Sequence, residues 1–183
     1  ILLSCGQLLL IALHVALRFL HGRLGRGRVD GEQRIARLHL LTLRHKHVQH
    51  GAGRGQGDHK WHSQPGKNLL FSILLKQPDI PANRQSEISD AVAYSIIKLL
   101  ERHGIEAWVK PPNDIWVGTK KICGILIENS ICSSKMTWSI VGVGINVNQT
   151  SFPSSLPNPT SILLETASHA LSFKRALPEL DLE

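Results

Sequence analysis

The chain has 183 residues, 42% of them hydrophobic, and a formal net charge of +7 at pH 7. This length and apolar content suffice for one folded domain with a buried core, and they exclude a disordered or fibrous chain. Residues 1–50 hold 8 Lys/Arg and 2 Asp/Glu, a net +6, whereas residues 51–183 hold 13 and 12, a net +1. The basic excess belongs to the first 50 residues, so the total charge does not by itself indicate a nucleic-acid-binding protein.

The cysteines and histidines form no recognisable metal site. Cys5, Cys123 and Cys132 make no CxxC motif and have no Cys/His ligand spacing. An odd number of free thiols is typical of a reducing compartment, so a cytoplasmic protein is predicted. The pair His45 and His47 lacks a carboxylate or cysteine partner in its neighbourhood, and no structural metal site is predicted there.

Residues 1–20 form the most hydrophobic window of the chain. A transmembrane helix there would carry Gln7, His14 and Arg18, and a signal peptide would need a basic segment ahead of the apolar run. A buried or amphipathic helix is therefore predicted. Residues 21–50 show neither helical nor strand periodicity, which favours a solvated basic segment; an arm that contacts phosphate is the alternative.

Glycines alternate with other residues from position 51, in the sequence GAGRGQG at 51–57. This run predicts a mobile loop whose backbone N–H groups, together with Arg54, can fold over an anion. A flexible surface loop is the alternative. The following Lys60 and Trp61 favour the first interpretation, because a cation beside a large aromatic ring suits a nucleotide. A strand is predicted over 69–76.

Apolar residues recur at helical spacing between Ser86 and His103, and Gly104 stands where a helix would stop. They are Ile88, Ala91, Val92, Ile96, Leu99 and Leu100. The pattern predicts an amphipathic helix that serves as scaffold.

Three short apolar runs follow, at 107–109, 115–117 and 122–127. Pro112-Asn113-Asp114 and Gly118-Thr119 separate them as turns, which is typical of an active-site hairpin. Gly124 inside the third run predicts either a bulge or a close approach of a ligand to the backbone.

A last strand is predicted over 136–147, and it ends in the sequence GVGINVN. Gly142 and Gly144 permit close backbone approach and Asn146 supplies an amide, although a plain sheet edge has the same pattern. Thr160-Ser161 are predicted to cap a helix over 162–171.

Five blocks of sequence, taken in order and spacing, resemble the catalytic domain of biotin–protein ligases. The blocks are GRGQGDHKW at 53–61, PGKNL at 65–69, KPPND at 110–114, KKICGILIE at 120–128 and GVGINVN at 142–148. The resemblance implies an α+β fold with a mixed, largely antiparallel sheet and flanking helices, shared with class II aminoacyl-tRNA synthetases and lipoyl ligases. We expect an atypical basic segment at 1–50 and an incomplete ligase-like domain at 51–183.

The same resemblance implies a two-step reaction. Biotin is activated with ATP and Mg²⁺ to biotinyl-AMP, and a lysine of biotin carboxyl carrier protein or of an acetyl-CoA carboxylase subunit then displaces AMP. No DNA or membrane partner is expected, and a homodimer formed through a sheet edge stays open. The alternatives are a lipoyl-type protein ligase, an inactive fragment, or a basic nucleic-acid-binding protein that uses residues 18–60.

By this resemblance, Lys121 corresponds to the catalytic lysine, which binds the carboxylate and the α-phosphate oxygens. Trp61 would pack on the adenine side, Asp114 would lie at the phosphate and Mg²⁺ end, and Gly124 would let the biotin ring approach the strand. The loop at 53–57 would close over the adenylate. The expected biotin- or adenylate-binding residues are His50, Gly53, Arg54, Gly55, Gln56, Trp61, Asn113, Asp114, Gly124, Gly142, Gly144 and Asn146.

The sequence departs from the family pattern at positions that line the expected pocket. His50-Gly51 stand where the family has Gln-Thr, Pro111 stands where it has Trp, and Gln56 stands where many members have Arg. Residues 1–50 hold no Ser-Thr-Asn signature and begin without Met, and one hypothesis is that they come from another reading frame, strand or fusion. The pocket is accordingly expected to be incomplete.

Overall fold

The structure, a computed structural model, describes residues 51–55, 60–76, 78 and 80–168. The helix predicted over 1–20 and the basic segment predicted over 21–50 lie outside the described residues. Among the residues it does describe, no helix has both the length and the hydropathy that crossing a bilayer requires.

Seven strands and two helices make up the described chain, together with one turn of 3₁₀ helix at Ala82–Arg84. The strands are β1 (Gly51–Arg54), β2 (Lys60–Ser63), β3 (Asn68–Lys76), β4 (Trp108–Lys110), β5 (Asp114–Val117), β6 (Lys120–Cys132) and β7 (Lys135–Asn146). The helices are α1 (Ser86–Glu101) and α2, which covers 162–168. Strands β1 and β2 form a small antiparallel hairpin, and the other five form an antiparallel sheet in the order β3-β7-β6-β5-β4. The predicted α+β class with a largely antiparallel sheet is confirmed.

Helix α1 forms where the apolar periodicity predicted it, two residues shorter at its end. Its buried side chains join those of the sheet in a single hydrophobic core. The chain leaves the helix through Gly104, whose φ of +71° is a left-handed conformation that glycine adopts without strain.

The two faces of the five-stranded sheet differ in character because side chains alternate along each strand. One cross-strand row consists of Ile115, Cys123, Ile145 and Leu69, all at most 1% exposed, and it faces the core. The next row consists of Lys110, Asp114, Gly124, Gly144 and Leu70, and it faces the other way. The sheet therefore buries one face in the core and presents charged groups and two facing glycines on the other.

The turns and strands of the predicted hairpin are confirmed, with shifted bounds. The third run, predicted over 122–127, belongs to the longer strand β6, which extends from Lys120 to Cys132. The last strand begins and ends one residue earlier than predicted, and β3 begins one residue earlier. The helix predicted over 162–171 is present over 162–168, and its remainder lies outside the described residues.

Two expectations need correction. The run at 51–57 was expected to be a mobile loop, but 51–54 form β1, with Gly53 opposite Trp61 on β2. Strand β1 is defined by its backbone pairing with β2, and a run of alternating glycines shows no side-chain periodicity from which a strand could be predicted. Gly124 does not mark a bulge: it pairs regularly with both neighbours, and the register shift lies between Ile115 and Trp116.

Replacement of Leu100 by Ala tests the core. Leu100 is 0% exposed at the end of α1, and we expect Leu100→Ala to lower the free energy of unfolding. The expected loss is about 2–5 kcal/mol, because the substitution leaves a cavity between helix and sheet. Urea unfolding measures it, with Leu163→Ala as control because Leu163 is 40% exposed on α2. Equal losses in the two variants would contradict this core.

Candidate functional site

The candidate site is built on Gly124 of β6 and Gly144 of β7, which face each other across the two strands. We call these two residues the glycine pair. The indole of Trp61 lies directly over them: a Cβ added at Gly144 would be 2.7 Å from Trp61 Cε2, and one added at Gly124 would be 3.0 Å from Trp61 Cζ3. Only residues without a side chain leave room for the indole here, which is the physical reason for both glycines.

A buried amide network holds the hairpin that carries Trp61. The side-chain oxygen of Gln149, a residue 1% exposed, accepts hydrogen bonds from the Asn68 side-chain amide at 2.6 Å and from the Gln64 backbone N–H at 3.0 Å. The same Asn68 amide donates to Ser63 Oγ at 3.2 Å. The network ties the end of β2 to the ends of β3 and β7, and so sets where Trp61 meets the sheet.

Lys121 and Asp114 lie beside the indole. The Lys121 ammonium is 2.7 Å from Asp114 Oδ1 and 5.6 Å from the centroid of the Trp61 ring. Both side chains stay partly open to water, with exposed fractions of 32% for Lys121 and 23% for Asp114. A cation held between a carboxylate and an aromatic face, yet accessible, is well placed to receive an anionic ligand.

The turn before β5 is fixed through Asn113. Its side-chain amide donates to the Ile125 carbonyl at 2.6 Å, and its own carbonyl accepts from the Ile125 N–H at 2.9 Å. These bonds hold the start of β5 against β6 and put Asp114 opposite Gly124. The register shift that follows brings Trp116 opposite Lys121. Among the described residues, Asn113 therefore contributes to the site by fixing the position of Asp114.

A second cation–aromatic group lies next to this site. The Lys110 ammonium is 3.8 Å from the centroid of the Trp116 ring, and Trp108 and Trp116 have centroids 6.3 Å apart. Lys110 also lies opposite Asp114 in the strand register. Lys110 is not among the predicted site residues, because its place beside Asp114 follows from the pairing of β4 with β5.

Other predicted site residues are placed as follows. Gly142 lies two residues before Gly144 on the same face, where an added Cβ would meet only ordinary contacts, the nearest being Leu126 O at 3.6 Å. Asn146 is buried, and its amide nitrogen donates to the Thr160 carbonyl at 2.9 Å while its Oδ1 has no partner among the described residues. It therefore keeps one free acceptor.

The Gly-rich block is described only in part. Gly53 and Arg54 belong to the backbone of β1, and Gly55, which follows, is half-buried. His50 and Gln56 lie outside the described residues, so their expected roles stay predictions. Of the predicted set, the structure brings together Trp61, Asp114, Lys121, Gly124 and Gly144.

Cys123 lies beside the site but faces the core. It is 0% exposed, and burial raises the pKa of its thiol well above the ordinary value of 9.0, with the charge of Lys121 offsetting a part of the effect. The thiol is therefore protonated and a poor nucleophile. Within the described chain, Cys123 and Cys132 are both free, and no three His, Cys, Asp or Glu side chains there cluster as metal ligands would.

Thiol alkylation tests the burial of Cys123. We expect iodoacetamide at pH 8 to modify exposed Cys132 and to leave Cys123 unmodified until urea unfolds the chain, as followed by peptide mass mapping. Because folding raises the pKa, the stability linked to this thiol is fully present below pH 9.0 and declines as pH rises above it. Rapid labelling of Cys123 in the folded protein would contradict its placement.

Substitution within the glycine pair tests the position of the indole. Gly144→Ala is expected to displace the Trp61 ring into water and to shift its fluorescence to longer wavelength. Gly142→Ala adds the same methyl group on the same strand without meeting Trp61 and is the matched control. The shift should vanish when Trp61→Phe is added. Identical spectra for the two alanine variants would mean that the indole does not lie on the glycine pair.

Comparison with known proteins agrees with the resemblance seen in the sequence. The profile of the Biotin/lipoate A/B protein ligase family matches residues 34–146. The match begins at residue 34, within the segment 1–50 that was expected to lie outside the ligase-like domain, and the domain boundary proposed at residue 50 stays a prediction.

Individual relatives carry related names. The bifunctional ligase/repressor BirA of Bacillus subtilis (strain 168) is 36% identical over 119 residues, which are 63% of this chain and 36% of that protein. The biotin–[acetyl-CoA-carboxylase] ligase of Mycobacterium tuberculosis is 29% identical over 117 residues, which are 61% of this chain and 41% of that protein. This chain thus spans well under half the length of these curated relatives.

Among solved structures, the biotin protein ligase from Aquifex aeolicus in complex with biotin and ATP aligns at 28% identity with a TM-score of 0.48. That alignment covers 68% of this chain and 58% of the Aquifex chain. The family profile itself matches well over half of the 183 residues. The chain therefore belongs to the biotin/lipoate A/B protein ligase family.

Proposed function

We propose that this chain activates biotin with ATP to biotinyl-AMP and transfers the biotinyl group to a lysine of a biotin carboxyl carrier domain. The observation that supports this best is the Lys121 ammonium, held 2.7 Å from Asp114 and beside the Trp61 ring, in a member of this ligase family. The names of the relatives, which include a ligase acting on acetyl-CoA carboxylase, support biotin and this class of acceptor.

In the first step, two anions must come together. A carboxylate oxygen of biotin forms a bond to the α-phosphorus of ATP, and the bond from that phosphorus to pyrophosphate breaks. The Lys121 ammonium would contact both the carboxylate and an α-phosphate oxygen, and so offset the negative charge that gathers between them. Its exposed fraction of 32% leaves room for these contacts.

We assign two roles to Asp114 in this reaction. Its carboxylate holds the Lys121 ammonium in the resting site and so orients it before substrate binds. In the transfer step, the acceptor amine attacks the acyl carbon of biotinyl-AMP, the bond to AMP breaks, and the amine loses a proton. We assign the acceptance of that proton to the Asp114 carboxylate.

Trp61 forms a wall of the proposed pocket. A ligand that approaches Gly124 from the open side of the sheet meets the indole first, since the ring covers the glycine pair. We therefore assign contact with the ligand to Trp61, and we assign to Gly124 the role of making room for the ring. The indole and the β1–β2 hairpin would shield the adenylate from water, which would otherwise hydrolyse it.

ATP is expected to bind with Mg²⁺, and the residues present fit that ion. Mg²⁺ in nucleotide sites is commonly held by one or two carboxylates together with substrate phosphates. Asp114 supplies one partly exposed carboxylate, which lies beside Lys121. When bound there, the ion would neutralise phosphate charge.

Removal of the Lys121 charge tests the proposal. We expect wild-type protein to form biotinyl-AMP from biotin and ATP, and Lys121→Ala to lower the rate by about 100-fold or more, because one preorganised charge contact with the reacting groups is lost. Radiolabelled ATP and thin-layer chromatography measure the product. Lys98→Ala is the matched control, since the Lys98 ammonium pairs with Glu101 on the outer surface of α1.

The results separate the alternatives. A Lys121→Ala protein within about threefold of wild type would reject the proposed mechanism, since loss of a charge contact in the transition state costs far more. Activation of lipoate in place of biotin would favour a lipoyl-type ligase, the other branch in the family description. Salt-sensitive binding of nucleic acid without adenylate formation would favour the basic nucleic-acid-binding alternative.

A further inference from the structure

The backbone of Lys121 is held by a segment that lies far along the chain. The Lys121 N–H donates to the Asn158 carbonyl at 2.8 Å, and the Lys121 carbonyl accepts from the Thr160 N–H at 2.9 Å. Pro159 forms a parallel bridge with Lys121 between these two bonds. We call residues 158–160 the strap. The strap pairs with β6 at Lys121, on the N-terminal side of Cys123. The regular pairing of β6 with β7 begins at Cys123.

A buried carboxylate fixes the strap. The Thr160 hydroxyl donates to Glu165 Oε1, and the Lys120 ammonium is 3.2 Å from the same oxygen. Glu165 lies on α2 and is only 7% exposed. One oxygen therefore joins the strap, the helix and the residue next to Lys121. Burial of a carboxylate is unfavourable in free energy unless the group is paired and hydrogen-bonded. Glu165 therefore needs its bonds to Thr160 and Lys120.

The docking of α2 does not depend on Glu165 alone. The Leu163 N–H donates to the Val147 carbonyl at 2.9 Å, and Ile162 is buried in the core at 3% exposure. Loss of the Thr160–Glu165 bond should therefore loosen the strap while the helix stays in place, although the Asn146 amide still donates to the Thr160 carbonyl.

We propose that Glu165, acting through Thr160, is a positioning residue that holds the Lys121 backbone so that its ammonium stays between Asp114 and Trp61. This inference rests on the proposed function, in which the Lys121 ammonium contacts the biotin carboxylate and an α-phosphate oxygen. Misplacement of such a group by about 1 Å can cost on the order of 100-fold in rate.

Hydrogen exchange tests the positioning without any substrate. Thr160→Val keeps the shape of the side chain and removes the hydroxyl donor. We expect the amides of Lys121 and Thr160 to exchange at least about tenfold faster in this variant, because the strap opens more often. Ile125 lies on the same strand as Lys121, but its amide donates to the Asn113 carbonyl in the turn before β5, so its exchange should not change. NMR of the uniformly labelled chain measures all three amides.

Two further variants sharpen the result. Glu165→Gln keeps an oxygen acceptor for Thr160 but removes the charge facing Lys120, and we expect an intermediate increase in exchange. Thr166→Val is the matched control, because the Thr166 hydroxyl donates to the Ile162 and Leu163 carbonyls within α2 and not to the strap. Unchanged exchange at Lys121 in Thr160→Val, or an equal increase in Thr166→Val, would overturn the proposal.

Kinetics provide the second readout. For biotinyl-AMP formation, we expect Thr160→Val to lower kcat by about 10- to 100-fold while the KM for biotin stays within about threefold, as expected for a displaced reacting contact. Thr166→Val should match wild type. Wild-type kcat in Thr160→Val would overturn the positioning role. If the wild-type chain forms no biotinyl-AMP, the proposed function is rejected, and the exchange result still decides whether Glu165 positions Lys121.

Discussion

An indole ring reaches the backbone of a β-sheet only where the strands beneath it carry no side chains. Gly124 and Gly144 provide such a place because the register of β6 and β7 puts them opposite each other. The ring of Trp61 fills it, and the Lys121 ammonium lies 5.6 Å from the centre of that ring. A shift of one residue between the two strands would separate the glycines and close the place for the indole.

The side chain and the backbone of Lys121 are held by different parts of the protein. Its side chain lies in the site beside Asp114, while both hydrogen-bonding groups of its backbone go to residues 158–160. The neighbouring Cys123 turns to the opposite face and is buried in the core. The strand thus joins an apolar core on one face to an accessible charge on the other, and the core supplies the rigidity that the charged site needs.

Local signals in the sequence predicted α1 and the strands around Asp114, because a helical period and turn-forming residues act over a few positions. The strand at 51–54 was missed, since alternating glycines carry no side-chain pattern and only pairing with β2 defines it. Trp61 and the glycine pair were selected separately, but their contact joins distant parts of the chain. Gln149 and Glu165 were not predicted as functional residues, because a buried polar residue produces no periodic pattern in the sequence.

We propose that Lys121 contacts the phosphate of an adenylate while Trp61 stays over the glycine pair. The most direct measurement is a crystal structure of this chain bound to a non-hydrolysable analogue of biotinyl-AMP. We expect the Lys121 ammonium to contact the phosphate mimic and the analogue to pack against Trp61. An analogue bound away from Lys121, or one that takes the place of the indole over Gly124 and Gly144, would contradict it.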